Sequence, residues 1–302
     1  MNEITFPNLG LSFNIDPVLF RLGDFKIHWY AVIIVFGIVL AFLYACYFCK
    51  KDGEDTEPLY DILLFGLPSA IVGARLYYVI FNYSLYRDNL TDIFKIYEGG
   101  LAIYGGVIAA VLSTLIYCRI KKKNILQFFD YGASGLIVGQ CIVRWGNFVN
   151  QEAFGGNYDG LFSMKGNVIE ETLVILKESG LSIDPSVGVH PTFLYESFWN
   201  LIGAVILIFI FKRRKHYGTA FSFYLIWYST GRFFIEGLRT DSLMLNSDIR
   251  VSQAVAVICV IAGILIILYN NKTKKNLIVK KEEKENTEEK ENTEEKEEKY
   301  EE

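Results

Sequence analysis

Seven long apolar runs constrain this 302-residue chain more than any other feature of its sequence. Each is close to the roughly 17–25 residues that a helix needs to cross a bilayer. The first run is longer than the apolar segment of a signal peptide, and neither a basic region nor a cleavage site of small residues flanks it. The pattern predicts an all-α integral membrane protein with seven transmembrane helices, at residues 27–49, 59–81, 101–118, 125–147, 192–211, 218–234 and 251–269.

The connections between these runs differ sharply in positive charge. Segments 50–58, 119–124, 212–217 and 270–276 carry 13 Lys or Arg in 28 residues, whereas the connections on the other side carry 8 in 100. Lys and Arg concentrate in the cytoplasmic loops of membrane proteins. We therefore expect the N-terminus to lie outside and the C-terminus in the cytoplasm.

The acidic balance of the chain, a formal net charge of −4, comes from its C-terminal tail. Residues 280–302 hold 6 Lys and 12 Glu and repeat Glu-Asn-Thr-Glu-Glu-Lys, which leaves the rest of the chain slightly basic. Such a segment lacks the apolar side chains that could form a core. We expect a seven-span domain at 1–276 and a disordered acidic cytoplasmic tail at 277–302. A solvated tail is preferred over a role in binding a partner.

The five cysteines all lie in apolar runs, which argues against a disulfide framework. Cys46 and Cys49 form a C-x-x-C pair on one apolar helix, without the second pair or the histidine of a zinc site. We expect no metal, no cofactor and no nucleic-acid partner.

Ionisable and polar groups gather near one end of the predicted helices. A charge inside a span costs roughly 2.5–3.5 kcal/mol on insertion scales, so such residues are functional candidates. Asp61 and Asp130 lie towards the cytoplasmic side. The groups expected near the outer ends of the spans are His28, Tyr30, Arg75, Tyr104, Arg144, Glu196, Arg232 and Glu236.

Arginine binds phosphate oxygens in a forked, bidentate way, and a phospholipid headgroup is the anion most available at that depth. A single arginine there is as easily explained by snorkelling or by tying helices together. Three converging arginines favour phosphate binding. Glu236, four residues after Arg232, and Glu196 are candidates to hold arginines in place.

Glycines add a second feature. Gly132, Gly135 and Gly139 are expected to let helices pack closely. Two glycine pairs, at 99–100 and 105–106, flank Tyr104, where doubled glycine weakens a helix start. We expect these pairs to let the backbone approach a ligand.

Several spaced motifs resemble those of the bacterial prolipoprotein diacylglyceryl transferase family. Segment 139–155, GQCIVRWGNFVNQEAFG, resembles the family signature, with matches at Arg144, Gly146, Asn147, Phe148, Asn150, Glu152 and Gly155. Segment 190–196, HPTFLYE, and segment 228–239, YSTGRFFIEGLR, resemble two further family motifs. The pairs Trp29-Tyr30 and Tyr77-Tyr78, the latter following Arg75, also fit in order.

The resemblance implies a transfer of the diacylglyceryl group from phosphatidylglycerol to the lipobox cysteine of an exported preprolipoprotein signal peptide. A thioether forms and glycerol phosphate leaves, at a site facing the outer leaflet of the bacterial cell membrane. The implied catalytic residues are Arg144, Arg232 and Tyr104. The implied substrate-binding residues are Tyr30, Arg75, Asn147, Glu152, Gly155, Tyr228, Glu236 and Arg239.

One position departs from the family pattern. Tyr104 stands where the family has a histidine proposed to deprotonate the thiol. A thiol has a pKa near 8.5, whereas a neutral tyrosine is a poor base. Three alternatives follow. Tyr104 positions the lipid by its hydroxyl, or nearby arginines lower its own pKa, or the thiol is activated electrostatically without a dedicated base. His28 and His190 are other conceivable bases, although an interfacial and a capping role respectively are preferred.

Two other functional classes remain open. A transporter for an anionic solute would also use intramembrane arginines, but no internal repeat is evident and the polar groups gather on one side. A lipid synthase would use clustered Asp ligands for a metal, and Asp61 and Asp130 lie on different helices. The long connection 148–190 is expected to form a small outer head that guides the peptide.

Overall fold

The computed structural model describes residues 2–23, 25–241, 243–244, 250–273 and 276–278. Residues 279–302, which hold nearly all of the predicted acidic tail, lie outside the described residues. The chain divides into two units, one of residues 1–45 with 130–302 and one of residues 46–129.

Each predicted apolar run is a helix whose ends lie within four residues of the predicted ones. The helices are α1 Trp29–Lys51, α2 Glu57–Phe81, α3 Ile103–Ile120, α4 Ile125–Asn150, α5 Asn167–Glu178, α6 Thr192–Arg213, α7 Thr219–Glu236 and α8 Val251–Thr273. Within the described residues, five helices are long and apolar enough to cross a membrane, namely α1, α2, α3, α6 and α8. The chain is therefore a mostly helical integral membrane protein.

The prediction of an all-α chain omitted five short strands. They are β1 Asn2–Phe6, β2 Leu11–Ile15, β3 Val18–Leu22, β4 Phe25–His28 and β5 Lys165–Gly166. Antiparallel pairing gives one sheet in the order β2-β1-β5 and a separate hairpin of β3 and β4. Most residues of β2 and β3 are exposed on both faces, so the alternation of buried and exposed residues that identifies a strand is missing.

In the larger unit, β1, the end of α4, α5 and the start of α6 enclose a small apolar core. Its members include Ile4, Phe148, Met164, Leu173 and Phe193. The region 148–190, which we call the head, thus packs together with β1 against the end of α4 and the start of α6.

Gln151 is buried and connects β1 with the start of α5 in this head. Its amide nitrogen donates to the carbonyl of Glu3 at 3.3 Å and to Asn167 Oδ1 at 3.1 Å. Its amide oxygen accepts from the N–H groups of Val168 and Ile169 in the first turn of α5, at 3.0 and 3.3 Å. One side chain therefore satisfies the free donors at the start of a helix and anchors a strand beside it.

Glycines set the close packing of the helices. A Cβ on Gly135 would lie 2.2 Å from the carbonyl oxygen of Ala41, and one on Gly139 3.2 Å from that of Gly37. The prediction of close packing is confirmed at these two positions. It is wrong for Gly132, where an added Cβ would meet nothing within 4 Å.

Two tryptophans clasp α6 to α7. The indole nitrogen of Trp199 donates to the carbonyl of Trp227 at 2.9 Å, and the indole of Trp227 donates back at 3.0 Å. The rings stack with their centres 4.4 Å apart. Gly203 and Gly231 leave room for them, because a Cβ at either position would come within 2.4 Å of an indole nitrogen.

In the smaller unit, α2 and α3 form a close antiparallel pair. A Cβ on Gly105 would lie 2.3 Å from the carbonyl oxygen of Gly73, so the two backbones touch near the start of α3. Tyr117 donates its hydroxyl hydrogen to Asp61 at 2.8 Å near the other end of the pair. The connection between the helices contains three short 3-10 turns, Tyr83–Leu85, Leu90–Phe94 and Ile96–Glu98.

At the opposite end of the larger unit, Asp130 is completely buried. It pairs with Arg214 Nε at 3.2 Å and accepts from the N–H groups of Gly218 and Phe221 at the start of α7. Asp130 and Arg144 thus lie near opposite ends of α4, and the predicted place of Asp130 towards the cytoplasmic side stays a prediction.

Candidate active site

Charged and polar side chains form a continuous chain along one end of the larger unit. The chain begins at Glu152, passes through α4 and α6, and ends beyond α7 at Asp241. Its members are Glu152, Asn147, Arg144, Glu196, Arg232, Glu236, Arg239 and Asp241.

The end of α4 places the first members. Gln151 and Ala153 adopt left-handed backbone conformations, with φ of 53° and 59°. This turn folds the chain back, so that Glu152 N–H donates to the carbonyl of Asn147 at 3.0 Å. The Asn147 amide then donates to Glu152 Oε1 at 2.7 Å and accepts from Arg144 Nη1 at 3.1 Å. Non-glycine residues in this conformation are uncommon and cluster at functional sites.

Glu196 is the centre of the chain. It projects from the second turn of α6, and its two oxygens pair with Arg144 Nε at 2.7 Å and with Arg232 Nη1 at 2.8 Å. The carboxylate is 5% exposed, whereas each of the two arginine side chains is 18% exposed. The carboxylate is therefore more deeply buried than the two arginine side chains that it holds in position, and both of these stay partly exposed.

Arg232 continues the chain along α7. Its Nη2 lies 2.5 Å from Glu236 Oε2, a contact that the spacing of four residues predicts on a helix. Arg239, past the end of α7, lies 4.0 Å from the same carboxylate. Its fork donates to both oxygens of Asp241 at 2.9 and 2.7 Å.

Three further predicted residues join this group. Tyr30 packs its ring on Gly146, where a Cβ would come within 2.7 Å of the ring. Tyr228, one helical turn before Arg232, lies close to Arg144. Gly155 pairs with Arg239 as an isolated β-bridge, and a Cβ on it would meet the carbonyl of Leu238 at 2.9 Å. Only glycine therefore fits at position 155, where the chain passes close to Leu238 and Arg239.

The structure thus brings nine predicted site residues together in one unit. They are Tyr30, Arg144, Asn147, Glu152, Gly155, Tyr228, Arg232, Glu236 and Arg239. Arg75 and Tyr104 belong to the other unit. Arg75 donates its N–H groups to main-chain carbonyls of the connection that follows α2, and Tyr104 is the second residue of α3.

Sequence patterns do not predict two of the partners. One is Asp241, which lies only two residues after Arg239. The other is Ser197, whose hydroxyl accepts from the indole of Trp145 at 3.1 Å and donates to the carbonyl of Cys141 at 2.9 Å. These bonds fix α6 against α4 beside Glu196. No spacing rule reveals a contact between separate helices.

His190 lies beside this group and not in the polar chain. Its ring stacks on Tyr158 with centres 4.1 Å apart, and its Nδ1 lies 3.2 Å from the Tyr195 hydroxyl. Burial lowers the pKa of His190 below the ordinary value of 6.5. The ring is therefore neutral at physiological pH, and it contributes packing against Tyr158 and a hydrogen bond with Tyr195 to the head.

The fold and the site together define a helical membrane protein with arginines held by buried carboxylates at one end of its helices. Residues 17–269 match the sequence profile of prolipoprotein diacylglyceryl transferase, and the chain belongs to that family of transferases.

Named relatives are similar over nearly the whole chain. A phosphatidylglycerol–prolipoprotein diacylglyceryl transferase of Clostridium botulinum (strain Langeland) is 44% identical over 269 residues, which cover 89% of this chain and 99% of the relative. The enzyme of that name from Listeria welshimeri is 43% identical over 255 residues, covering 84% of this chain and 90% of the relative. One from Listeria monocytogenes serotype 4a is 44% identical over the same length.

Proposed function

We propose that this protein transfers the diacylglyceryl group of phosphatidylglycerol to the thiol of a lipobox cysteine in a preprolipoprotein. The products are a thioether-linked diacylglyceryl protein and glycerol phosphate. Membership of the family and the names of the relatives support the reaction. The observation that carries the assignment of the site is that Arg144 and Arg232 share Glu196 while both remain partly exposed.

The proposed chemistry is a displacement at carbon. The cysteine sulfur attacks the glycerol carbon that bears the phosphate ester, a C–S bond forms, and the C–O bond breaks with its electron pair passing to the phosphate oxygen. The thiol proton leaves to an acceptor. Charge therefore builds up on the departing phosphate, and fixed guanidinium groups in a protected site stabilise that charge best. Arg144 and Arg232 are assigned this role.

Two buried carboxylates contact these arginines and support this role. Glu196 and Glu236 fix the guanidinium orientation, so that little reorganisation is needed when charge develops. Each guanidinium has five N–H donors, and the contacts of Arg144 with Glu196 and Asn147 engage only Nε and Nη1. Its Nη2 group takes part in neither contact and is assigned to substrate oxygens.

The remaining contacts are assigned to substrate binding. Asn147 and Tyr30 orient the headgroup by hydrogen bonds, and Tyr228 does so from α7. Arg239, at the end of the chain, is a rim contact for either substrate. Glu152, Gly155 and Glu236 shape the site. For Tyr104, a hydroxyl that positions lipid, a tyrosine with lowered pKa, and thiol activation without a dedicated base remain the alternatives.

The proposed topology has seven spans, with the N-terminus outside, the C-terminus in the cytoplasm and the site facing the outer leaflet of the bacterial cytoplasmic membrane. The helices α4 and α7 are then spans as well. They are less apolar than the other five because polar, charged and small side chains are spread along them, Asp130, Gln140 and Arg144 among those of α4 and Ser229 and Arg232 among those of α7. The transferase domain occupies 1–276, the head at 148–190 guides the peptide, and 277–302 is an acidic tail. No cofactor enters the reaction.

The test is a reconstitution of the purified protein in vesicles that contain phosphatidylglycerol, with a peptide that carries a lipobox cysteine. We expect one glycerol phosphate released for each peptide modified, and a mass gain on the cysteine equal to one diacylglyceryl group. A peptide with serine in place of that cysteine is the control and should gain no mass. Flux of an anionic solute without peptide modification would instead support a transporter.

A further inference from the structure

Arg75 is buried in α2, and its environment differs from that of the other arginines. Its side chain contacts main-chain carbonyls, whereas the side chains of Arg144 and Arg232 contact carboxylates. An arginine has five N–H donors, and Arg75 has five carbonyl acceptors. They are Asp92 at 2.7 Å, Ile93 at 2.8 Å, Gly99 at 2.8 Å, Gly100 at 3.0 Å and Lys95 at 3.5 Å.

These carbonyls all belong to the connection between α2 and α3. Two come from the 3-10 turn Leu90–Phe94, one from Lys95 directly after it, and two from the glycines that follow the turn Ile96–Glu98. One guanidinium thus holds five carbonyls of this connection, of which that of Asp92 also accepts from the N–H of Lys95 at 3.2 Å. The ring of Tyr86 lies 5.1 Å from the guanidinium carbon and covers the same group.

The residues beside Arg75 fix the start of α3. The carbonyl of Ala74 accepts from the N–H of Ala102 at 3.0 Å, immediately before α3 begins. Gly73 lies against Gly105 in the first turn of α3, with room for no side chain between them. Tyr104 stands between these two anchored positions, so the contacts of Gly73 and Ala74 fix the place of its main chain.

We propose that Arg75 is a positioning residue that orders the connection 92–100 and thereby the first turn of α3 with Tyr104. Its five donors are engaged by the main chain, and it does not bind the headgroup phosphate. The proposal rests on the proposed transferase activity, in which Tyr104 is a site residue.

The first variant is Arg75→Lys, which keeps the positive charge but offers three donors in place of a planar fork. Displacement of a site residue by a fraction of an ångström to one ångström costs roughly ten- to a hundredfold in rate. We expect kcat to fall by that amount, with KM for phosphatidylglycerol and inhibition by added glycerol phosphate unchanged. Weaker binding of both molecules with kcat unchanged would make Arg75 a phosphate ligand and overturn the proposal.

Two glycine variants separate positioning from charge. Gly99 and Gly100 both have left-handed backbones, with φ of 93° and 72°, so alanine strains both. A Cβ on Gly100 would lie 2.4 Å from Arg75 Nη1, whereas one on Gly99 meets nothing within 4 Å. Gly100→Ala should therefore reproduce the loss of kcat in Arg75→Lys, and Gly99→Ala should retain more activity. Equal activities of the two alanine variants would contradict the proposal.

Tyr104→Phe completes the design. If Arg75 acts through Tyr104, the double variant that combines Arg75→Lys with Tyr104→Phe should lose less kcat than the two single fold-losses multiplied together. Strictly multiplicative losses would show that Arg75 acts elsewhere.

Hydrogen exchange of segment 90–102 gives a readout that needs no activity. Arg75→Lys and Gly100→Ala should speed exchange there and Gly99→Ala should do so less. A wild-type protein that releases no glycerol phosphate would refute the proposed function, while unchanged exchange in Arg75→Lys would refute the positioning role.

Discussion

Arg144 of α4 and Glu196 of α6 form an ion pair of 2.7 Å that joins two helices at the centre of the polar chain. Glu196 is nearly inaccessible, and its second oxygen holds Arg232 of α7 at 2.8 Å. One buried carboxylate therefore sets the separation of two arginines from different helices. A buried charge is costly without its partner, and this carboxylate is paired with two arginines that stay partly exposed and can bind an anion.

Glu196→Gln should weaken both activity and stability. The amide keeps the shape but loses the charge that orients two guanidinium groups, which then repel each other with less compensation. Breaking a buried pair costs about 3–5 kcal/mol, and we expect a clear fall in the melting temperature and in kcat. Phe198→Leu, at an exposed position two residues further along α6, is the matched control. A Glu196→Gln protein with the wild-type kcat would contradict the assigned role.

Asp130→Asn should destabilise the protein by about 3–5 kcal/mol, because it leaves the buried Arg214 without its carboxylate and removes the charge at the start of α7. The measurement is the free energy of unfolding in detergent. Asp88→Asn changes an 88% exposed carboxylate and should stay within about 0.5 kcal/mol of the wild type. Similar effects of the two changes would show that Asp130 contributes little.

Gly203→Ala should open the clasp of α6 and α7, because the new methyl group would lie 2.4 Å from the indole nitrogen of Trp227. Overpacking of this kind costs roughly 1–3 kcal/mol. Gly132→Ala adds the same group to a helix where nothing lies within 4 Å, and should raise stability by up to about 1 kcal/mol through helix propensity. Thermal melting of the two variants compares them directly, and a Gly203→Ala protein as stable as Gly132→Ala would be inconsistent with the clasp.

The stability of the head should fall in mild acid because of His190. Its folded-state pKa lies below the unfolded value of 6.5, so the unfolded chain takes up a proton first as the pH falls. The contribution of neutral His190 is thus present above pH 6.5 and is lost below it. Between about pH 7.5 and about pH 5, the melting temperature of the wild type should drop further than that of His190→Asn. Equal drops would assign the pH dependence to other groups.

The helices were predictable from the sequence because hydropathy is a local property that needs no knowledge of neighbours. The pair Arg232–Glu236 was predictable too, since a spacing of four residues places both side chains on one face of a helix. The partners of Glu196 were not, because contacts between α4, α6 and α7 depend on tertiary packing. The strands β2 and β3 lack the alternation of buried and exposed residues that identifies a strand, so no sequence pattern predicts them.

Arg75 and Gly100 show the limit most clearly. The sequence gives an arginine and a glycine pair, and both were interpreted as features of ligand binding. In the structure the acceptors of Arg75 are main-chain carbonyls, which every residue possesses and which no sequence motif reveals. Gly100 is needed because a side chain there would strike the guanidinium.

The most direct test of the central claim is glycerol phosphate release by Arg144→Ala in phosphatidylglycerol vesicles with a lipobox peptide, beside the wild-type protein. Loss of one group that stabilises developing charge typically lowers kcat by about a hundred- to a thousandfold. We predict a loss of at least that size, since Arg144 also anchors Asn147, in a protein whose helix content and elution in detergent match the wild type. Wild-type turnover by a folded Arg144→Ala protein would contradict the account.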